Sequence, residues 1–312
     1  MYRRSRRFGR AVARGRADRQ GRHLGPPVAV PDKRIAWLGL GLIGLPMAAR
    51  LVAAGWRVTG FDISRERIAM AEGRGLAAAS SIEEAVADAA IVFTSLPTET
   101  VLVDVARRLA AATPAAAIVV DTSTVGPVAS ATVAEALRPR PIAYLRAPIS
   151  GSVNLAESGG LTTFVSGAKA SFDAAREALA AYSRAQIWLG EGEEARYAKL
   201  AVNLMVAVTA GMMGETLALA QKGGIGWEAM LDLVGESVVA SPLVKYKLDP
   251  LRRRDYTPTA TGALVLKDLD LIVETARQAG VDVPLAKEVQ AAYRAMAKSQ
   301  LAAEDFFSLV KR

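Results

Sequence analysis

Three glycines, Gly39, Gly41 and Gly44, and one acid, Asp62, are the residues whose spacing most directly implies chemistry. They follow from Ile35-Ala36-Trp37-Leu38, a short apolar run that passes straight into a helix-like pattern at Leu42-Ile43-Gly44. In that setting G-x-G-x-x-G is a dinucleotide fingerprint. The first glycine makes a tight turn, the second lets backbone approach a pyrophosphate, and the third lets helix and strand pack closely. The phosphates would rest on the helix N-terminus, where unpaired N–H groups and the helix dipole favour an anion. Asp62 comes twenty-one residues after Gly41, close to the roughly 20 expected of an acid that binds ribose hydroxyls. An acid there repels a 2′-phosphate and favours NAD over NADP, a preference that Arg65 tempers. Asp62 could equally cap the helix beginning near Ser64, and the two roles are compatible.

Hydride transfer to or from a carbonyl needs a partner for the proton. The chain has no cysteine and a single histidine, His23. Thiolate nucleophiles, zinc–thiolate sites and iron–sulfur clusters are therefore excluded, and the body has no imidazole for acid–base work or metal binding. None of the seven tyrosines is followed four residues later by a lysine, so the short-chain dehydrogenase pair is missing too. A lysine or a carboxylate remains to move the proton.

The elements that would position these groups follow from periodicity. Apolar, β-branched runs at 35–38, 57–61, 91–96, 117–121, 142–146, 162–165 and 185–189 read as strands. Helical patterns at 43–54, 65–72, 99–112, 128–137 and 171–182 lie between them. This alternation implies an α/β fold with a parallel, doubly wound sheet. After Gly190 no further strand pattern occurs. A long apolar stretch from Glu193 to Lys222, with Gly211 and Gly214 inside it, is followed by helical patterns at 227–234, 263–279 and 284–298, so the C-terminal domain is expected to be all-α. The expected organisation is a tail over 1–32, a Rossmann-type NAD(P)-binding domain over 33–192, and a helical substrate and dimerisation domain over 193–312.

The net charge of +8 is concentrated at the N-terminus. Ten Arg and one Lys against Asp18 and Asp32 give the first 34 residues +9, which leaves the rest at −1. A folded basic face for nucleic acid would be spread over the body, whereas this segment is rich in Arg and Gly and reads as a disordered extension. No apolar run approaches the roughly 20 uncharged residues of a membrane helix. The chain reads as soluble, with the cytoplasm as default location.

The stretch Gly39–Gly55, GLGLIGLPMAARLVAAG, resembles the N-terminal signature of the β-hydroxyacid dehydrogenase family, which includes 3-hydroxyisobutyrate dehydrogenases and is related to 6-phosphogluconate dehydrogenases and imine reductases. Further motifs follow in the family's order: Asp121-Thr122-Ser123-Thr124 with Gly126-Pro127, then Ala147-Pro148-Ile149-Ser150-Gly151-Ser152 leading to Gly160-Leu161-Thr162, then Lys199-Leu200-Ala201-Val202-Asn203, then Lys267-Asp268-Leu269. The resemblance runs from about Lys33 to the C-terminus. It implies Lys199 as the catalytic acid–base, with Asn203 one turn later on the same helix face. It implies substrate contacts at Thr124, Ser150, Gly151, Asn203 and Asp268. Cofactor contacts are implied at Gly39, Gly41, Leu42, Ile43, Gly44, Asp62, Leu96, Pro97, Thr124 and Lys267, and no metal. It also implies a homodimer or homotetramer formed through the helical domain.

Two positions depart from the family pattern. Arg146 stands where an acid is common before Ala-Pro, and Ala260 where a Phe is common eight residues before the second-domain Asp. Losing a large ring would widen the substrate pocket, whereas Arg146 would either anchor a carboxylate or face solvent. The leading expectation is oxidation of a 3-hydroxy acid to its semialdehyde with NAD. Reduction of semialdehydes or glyoxylate with NADPH is opposed by Asp62, and imine reduction by Lys199. A non-catalytic cofactor-binding protein is opposed by Lys199, Asn203 and Ser150 together.

Overall fold

A computed structural model of the chain describes residues 33–112 and 116–311. The expected Arg-rich tail over 1–32 lies outside the described residues.

The first half alternates strand and helix: β1 (Arg34–Leu38), α1 (Gly44–Ala53), β2 (Arg57–Phe61), α2 (Arg65–Glu72), β3 (Ala77–Ala78), α3 (Ile82–Val86), β4 (Ile91–Thr94), α4 (Glu99–Ala112), β5 (Ile118–Asp121), α5 (Pro127–Leu137) and β6 (Ala143–Arg146). It closes with β7 (Ile149–Ser150), α6 (Val153–Ser158), β8 (Leu161–Ser166), α7 (Lys169–Tyr182) and β9 (Ser183–Gly190). The sheet order is β3-β2-β1-β4-β5-β6-β8-β7, with β9 also paired to β8. The first six strands are parallel, and the order reverses between β1 and β4, which places the crevice of a doubly wound sheet at Gly39.

Both faces of this sheet are covered, and the side-chain alternation of the strands shows it. Ile35 and Trp37 of β1, Ile91 and Phe93 of β4, and Ile118 and Val120 of β5 enter one core with α1 and α7. Their neighbours Ala36, Leu38, Val92 and Val119 enter a second core with α3, α4 and α5. A strand buried on both faces reads as a continuous apolar run, which is why these were legible. The far edge differs from the expectation of a wholly parallel sheet, because β8 runs antiparallel to both β6 and β7. The short β7 and the helix α6 turn the chain back before β8 forms.

The second half is helical: α8 (Glu194–Lys222), α9 (Trp227–Glu236), α10 (Pro242–Arg252), α11 (Gly262–Gln278) and α12 (Pro284–Ala297), then two 3₁₀ turns at Gln300–Ala303 and Phe306–Lys311. By length and composition alone, α8 could cross a membrane. In this fold it is the central helix of the second core, packed on α9, α11, α12 and the last turn. Its glycines serve that packing. A Cβ at Gly214 would meet the Val310 backbone at 3.3 Å, and one at Gly211 would meet Val289 at 3.3 Å. The N-terminal end of α8 also packs on β8 and β9, so the helix belongs to both halves.

Candidate functional site

At the crevice, β1 ends in Gly39 with φ +96°, a conformation that favours glycine, and a Cβ there would stand 2.2 Å from Ser95 O. A Cβ at Gly44 would stand 2.2 Å from Gly39 O. Gly41 is different, because a Cβ would meet nothing within 4 Å. The first and third glycines are thus required by the protein's own packing, and the second faces open space. Ile43 occupies the N-cap of α1 and supplies no side-chain cap, while Leu42 is exposed. An uncapped helix end beside an open glycine fits a pyrophosphate. Asp62, just past β2, accepts from Leu40 N at 2.7 Å and Ser64 N at 2.9 Å. The cap of α2 is Ser64, whose hydroxyl accepts from Arg67 N. The Asp62 side chain is therefore fixed at the crevice, with acceptor lone pairs left for a ribose diol.

The loops after β4 and β5 are laced together. Leu96 N donates to Ser123 Oγ at 2.9 Å, and Ser123 Oγ donates to Asp121 Oδ1 at 2.6 Å. This sets Leu96-Pro97 beside Thr124. The carbonyl of Thr124 accepts from Lys267 Nζ of α11 at 3.3 Å, so the sheet half and the helical half meet at this residue.

On α8, Lys199 Nζ donates to Asn203 Oδ1 at 2.8 Å, and Asn203 Nδ2 donates to Asp268 Oδ2 of α11 at 2.7 Å. The i, i+4 spacing puts Lys199 and Asn203 on one face, and the amide faces its oxygen to the amine and its nitrogen to the carboxylate. Lys267 Nζ lies 3.2 Å from Asp268 Oδ1. Burial lowers the Lys199 pKa to about 8; Asp268 opposes this by favouring the ammonium, and Lys267 reinforces it. A lysine amine near that value can both give and take a proton close to neutrality.

Of the residues expected at the site, Thr124, Lys199, Asn203, Lys267 and Asp268 are thus joined through direct contacts. Ser150 and Gly151 stand apart from this chain of hydrogen bonds, at the end of β7 paired to β8. Gly151 has φ +143°, and a Cβ there would meet Leu161 Cδ2 at 2.6 Å, so the turn requires glycine. Arg146 takes neither of its expected roles. Its Nε donates to Glu193 Oε1 at 2.9 Å, Nη2 donates to the same oxygen, and its guanidinium lies 4.6 Å from the Tyr144 ring centroid. Ala260 lies half-buried against the helical core.

Sequence reasoning missed Arg196. Its side chain is fully buried and donates to Asp121 Oδ2, to Tyr144 Oη at 2.8 Å, to Ser123 O at 2.7 Å and to Ser130 Oγ at 3.1 Å. A signal existed: an aspartate closing the apolar strand Ile118-Val119-Val120-Asp121 needs a buried cation.

The family model described as the NAD binding domain of 6-phosphogluconate dehydrogenase matches residues 34–190. The model described as NAD-binding of NADP-dependent 3-hydroxyisobutyrate dehydrogenase matches residues 193–312. The chain belongs to the β-hydroxyacid dehydrogenase family. Among relatives of this dehydrogenase, a probable 3-hydroxyisobutyrate dehydrogenase of Mycobacterium tuberculosis is 32% identical over 80% of this chain and 88% of its own. The 2-(hydroxymethyl)glutarate dehydrogenase of Eubacterium barkeri is 27% identical over 89% of this chain and 94% of its own. The solved Mycobacterium tuberculosis 3-hydroxyisobutyrate dehydrogenase with L-serine superposes with a TM-score of 0.83 at 29% identity, covering 90% of this chain and 98% of that one. This protein is accordingly an NAD(P)-dependent hydroxyacid dehydrogenase with a Rossmann domain followed by a helical domain.

Proposed function

We propose that this dehydrogenase oxidises a 3-hydroxy acid of the 3-hydroxyisobutyrate class to its semialdehyde, with NAD as the preferred cofactor and Lys199 as the acid–base. The observation that carries this reading is the Lys199–Asn203–Asp268 relay, a half-buried amine held by an amide that is itself held by a carboxylate. When bound, the nicotinamide supplies the hydride acceptor. Neutral Lys199 accepts the hydroxyl proton as the carbon loses hydride, and Asp268 stabilises the resulting ammonium through Asn203. In the reverse direction the ammonium returns that proton to the forming alkoxide. The Ser150-Gly151 turn offers backbone N–H groups to the substrate carboxylate. Gly39, Gly41, Leu42, Ile43 and Gly44 would receive the pyrophosphate, Leu96, Pro97 and Lys267 would contribute further cofactor contacts, and Thr124 would adjoin both ligands. Asp62 favours NAD, because a 2′-phosphate would meet its carboxylate.

Self-association belongs to the same reading. Met205, Met212 and Leu219 are exposed at seven-residue spacing along α8, an apolar stripe suited to a second copy of the chain.

The test is the absorbance at 340 nm of the protein and its Lys199→Ala variant with NAD or NADP and a panel of 3-hydroxy acids. NAD-dependent turnover that collapses in the variant, with cofactor binding retained, is the expected result. Turnover undiminished in the variant would overturn the role of Lys199.

A further inference from the structure

We infer that Arg196 is a positioning residue, which locks the first turns of α8 to the loop after β5 and so sets Lys199 against Thr124 and the Leu96-Pro97 segment. The inference rests on the acid–base role of Lys199 proposed above.

Arg196 lies three residues before Lys199 in α8, about 4.5 Å along the axis and roughly 60° around it. Any slide or rotation of that turn carries the amine with it. Among the described residues, the N-cap residue Glu193 forms no side-chain cap, and its carboxylate is engaged by Arg146 instead. Ser166 Oγ accepts from Ala195 N at 3.2 Å and Arg146 holds Glu193, so β8 and β6 also anchor this turn, but it is Arg196 that ties it to the loop after β5. One nitrogen takes Ser123 O, the carbonyl immediately before Thr124, at 2.7 Å. A second takes the Asp121 carboxylate and Tyr144 Oη, and a third takes Ser130 Oγ of α5. Asp121 is held in turn by Thr94 Oγ1 at 2.7 Å and by Ser123 Oγ, which also receives Leu96 N. One guanidinium thus connects, within two bonds, the three segments that must agree in position for hydride and proton to leave one substrate carbon and its oxygen.

Its chemistry suits orientation better than stability. Asp121 and Arg196 are fully buried, and a pair so placed could be exchanged for apolar residues at little cost in stability. A planar fork that reaches four acceptors fixes rotation as well as distance, which one ammonium or an apolar side chain cannot do. A displacement of about 1 Å at a reacting group can cost on the order of 100-fold in rate.

The experiment compares Arg196→Lys and the double variant Arg196→Met/Asp121→Asn with the parent protein and Lys199→Ala. The double variant leaves no unpaired buried charge, so it folds even where the single replacement by Met would not. For each, kcat, KM for both ligands and the pH dependence of oxidation are measured with the hydroxy acid that turns over best. The expected result is a fall in kcat of about 10- to 100-fold, with both KM values within about threefold. The alkaline rise in rate, set by Lys199 between Asp268 and Lys267 of α11, moves to higher pH as the loosened turn admits water. A lowered melting temperature with kcat and pH profile unchanged would overturn the positioning role while leaving the acid–base reading intact. Undiminished turnover in Lys199→Ala would overturn both.

Discussion

Gly41 and Gly44 lie one turn apart, yet alanine at the two positions should fail in different ways. At Gly44, the new Cβ would sit 2.2 Å from Gly39 O and 3.1 Å from both Ser95 Cβ and Trp37 Nε1. Gly44 opens α1, so the change gains up to about 1 kcal/mol in helix propensity. Relieving the overlap requires moving backbone and the Trp37 ring, and overpacking of this kind costs about 1–3 kcal/mol, sometimes more. The clash outweighs the gain, and at about 2–4 °C per kcal/mol the melting temperature falls by several degrees. At Gly41 nothing lies within 4 Å and φ is not in the left-handed region, so Gly41→Ala should melt like the parent. On the cofactor site proposed above, its methyl would instead occupy the space through which backbone N–H groups would reach a pyrophosphate. Losing one such charge-assisted hydrogen bond, at about 1.5–3 kcal/mol, weakens NAD binding by about 10- to 100-fold. Thermal unfolding without cofactor, followed by calorimetric titration with NAD, separates the two effects. If Gly41→Ala melts as low as Gly44→Ala and binds NAD like the parent, the open glycine does not face the pyrophosphate and the reasoning fails.

The remaining predictions concern charge and assembly. Since burial places Lys199 near 8, oxidation should rise with pH through about 8 as the amine loses its proton, and reduction should fall over the same range; pH profiles in both directions test this, and parallel profiles would refute it. Asp268 favours the ammonium, so Asp268→Asn should move the oxidation limb to lower pH, and an unmoved limb would remove Asp268 from the electrostatics of the site. Asp62→Asn keeps one acceptor for Leu40 N or Ser64 N while removing the charge. It should raise the NADP-to-NAD ratio of kcat/KM by about tenfold or more, equivalent to about 1.4 kcal/mol. Met205→Glu puts a charge in the exposed α8 stripe and should shift the protein to a smaller species in light scattering coupled to gel filtration.

What the sequence disclosed depends on how far apart the interacting residues lie. The turn at Gly39 and Gly44 is local, and the two-faced strands β1, β4 and β5 show as unbroken apolar runs, so their place in the fold follows from spacing alone. Strand β4 stops at Thr94 rather than Leu96, because Leu96 N is drawn away to Ser123 across the crevice. β7 has two residues and carries no periodicity, and the reversal of β8 depends on a pairing partner that periodicity does not name. Helix α10 was hidden by Pro250 in its interior, which ordinarily marks a break. At the site, Lys199 and Asn203 share a face by spacing, but Asp268 is 65 positions from Asn203 and Asp121 is 75 from Arg196. Such pairs exist only once the two halves dock. Arg146 shows the same limit: its type and place invited a substrate contact, and the ion that takes it, Glu193, is 47 residues away.

The distribution of buried charge explains why the site forms where it does. Among the described residues, three ion pairs have both side chains below a fifth exposed: Arg196–Asp121, Arg146–Glu193 and Lys247–Asp305. Exposed pairs elsewhere contribute little, and buried ones recover their desolvation only with good geometry and further hydrogen bonds. Two of the three converge on the first turn of α8, from β5 and from β6. The third ties α10 to the final turn, where Asp305 also accepts from Thr259 N at 2.9 Å and so shapes the approach to α11. α8 and α11 are the two helices that carry Lys199, Asn203, Lys267 and Asp268. An apolar joint would hold the halves together equally well but would tolerate sliding, since apolar contact is non-directional. Directional pairs sit at the first turn of α8 and beside the start of α11, the two helices whose register sets the Lys199–Asn203–Asp268 hydrogen bonds.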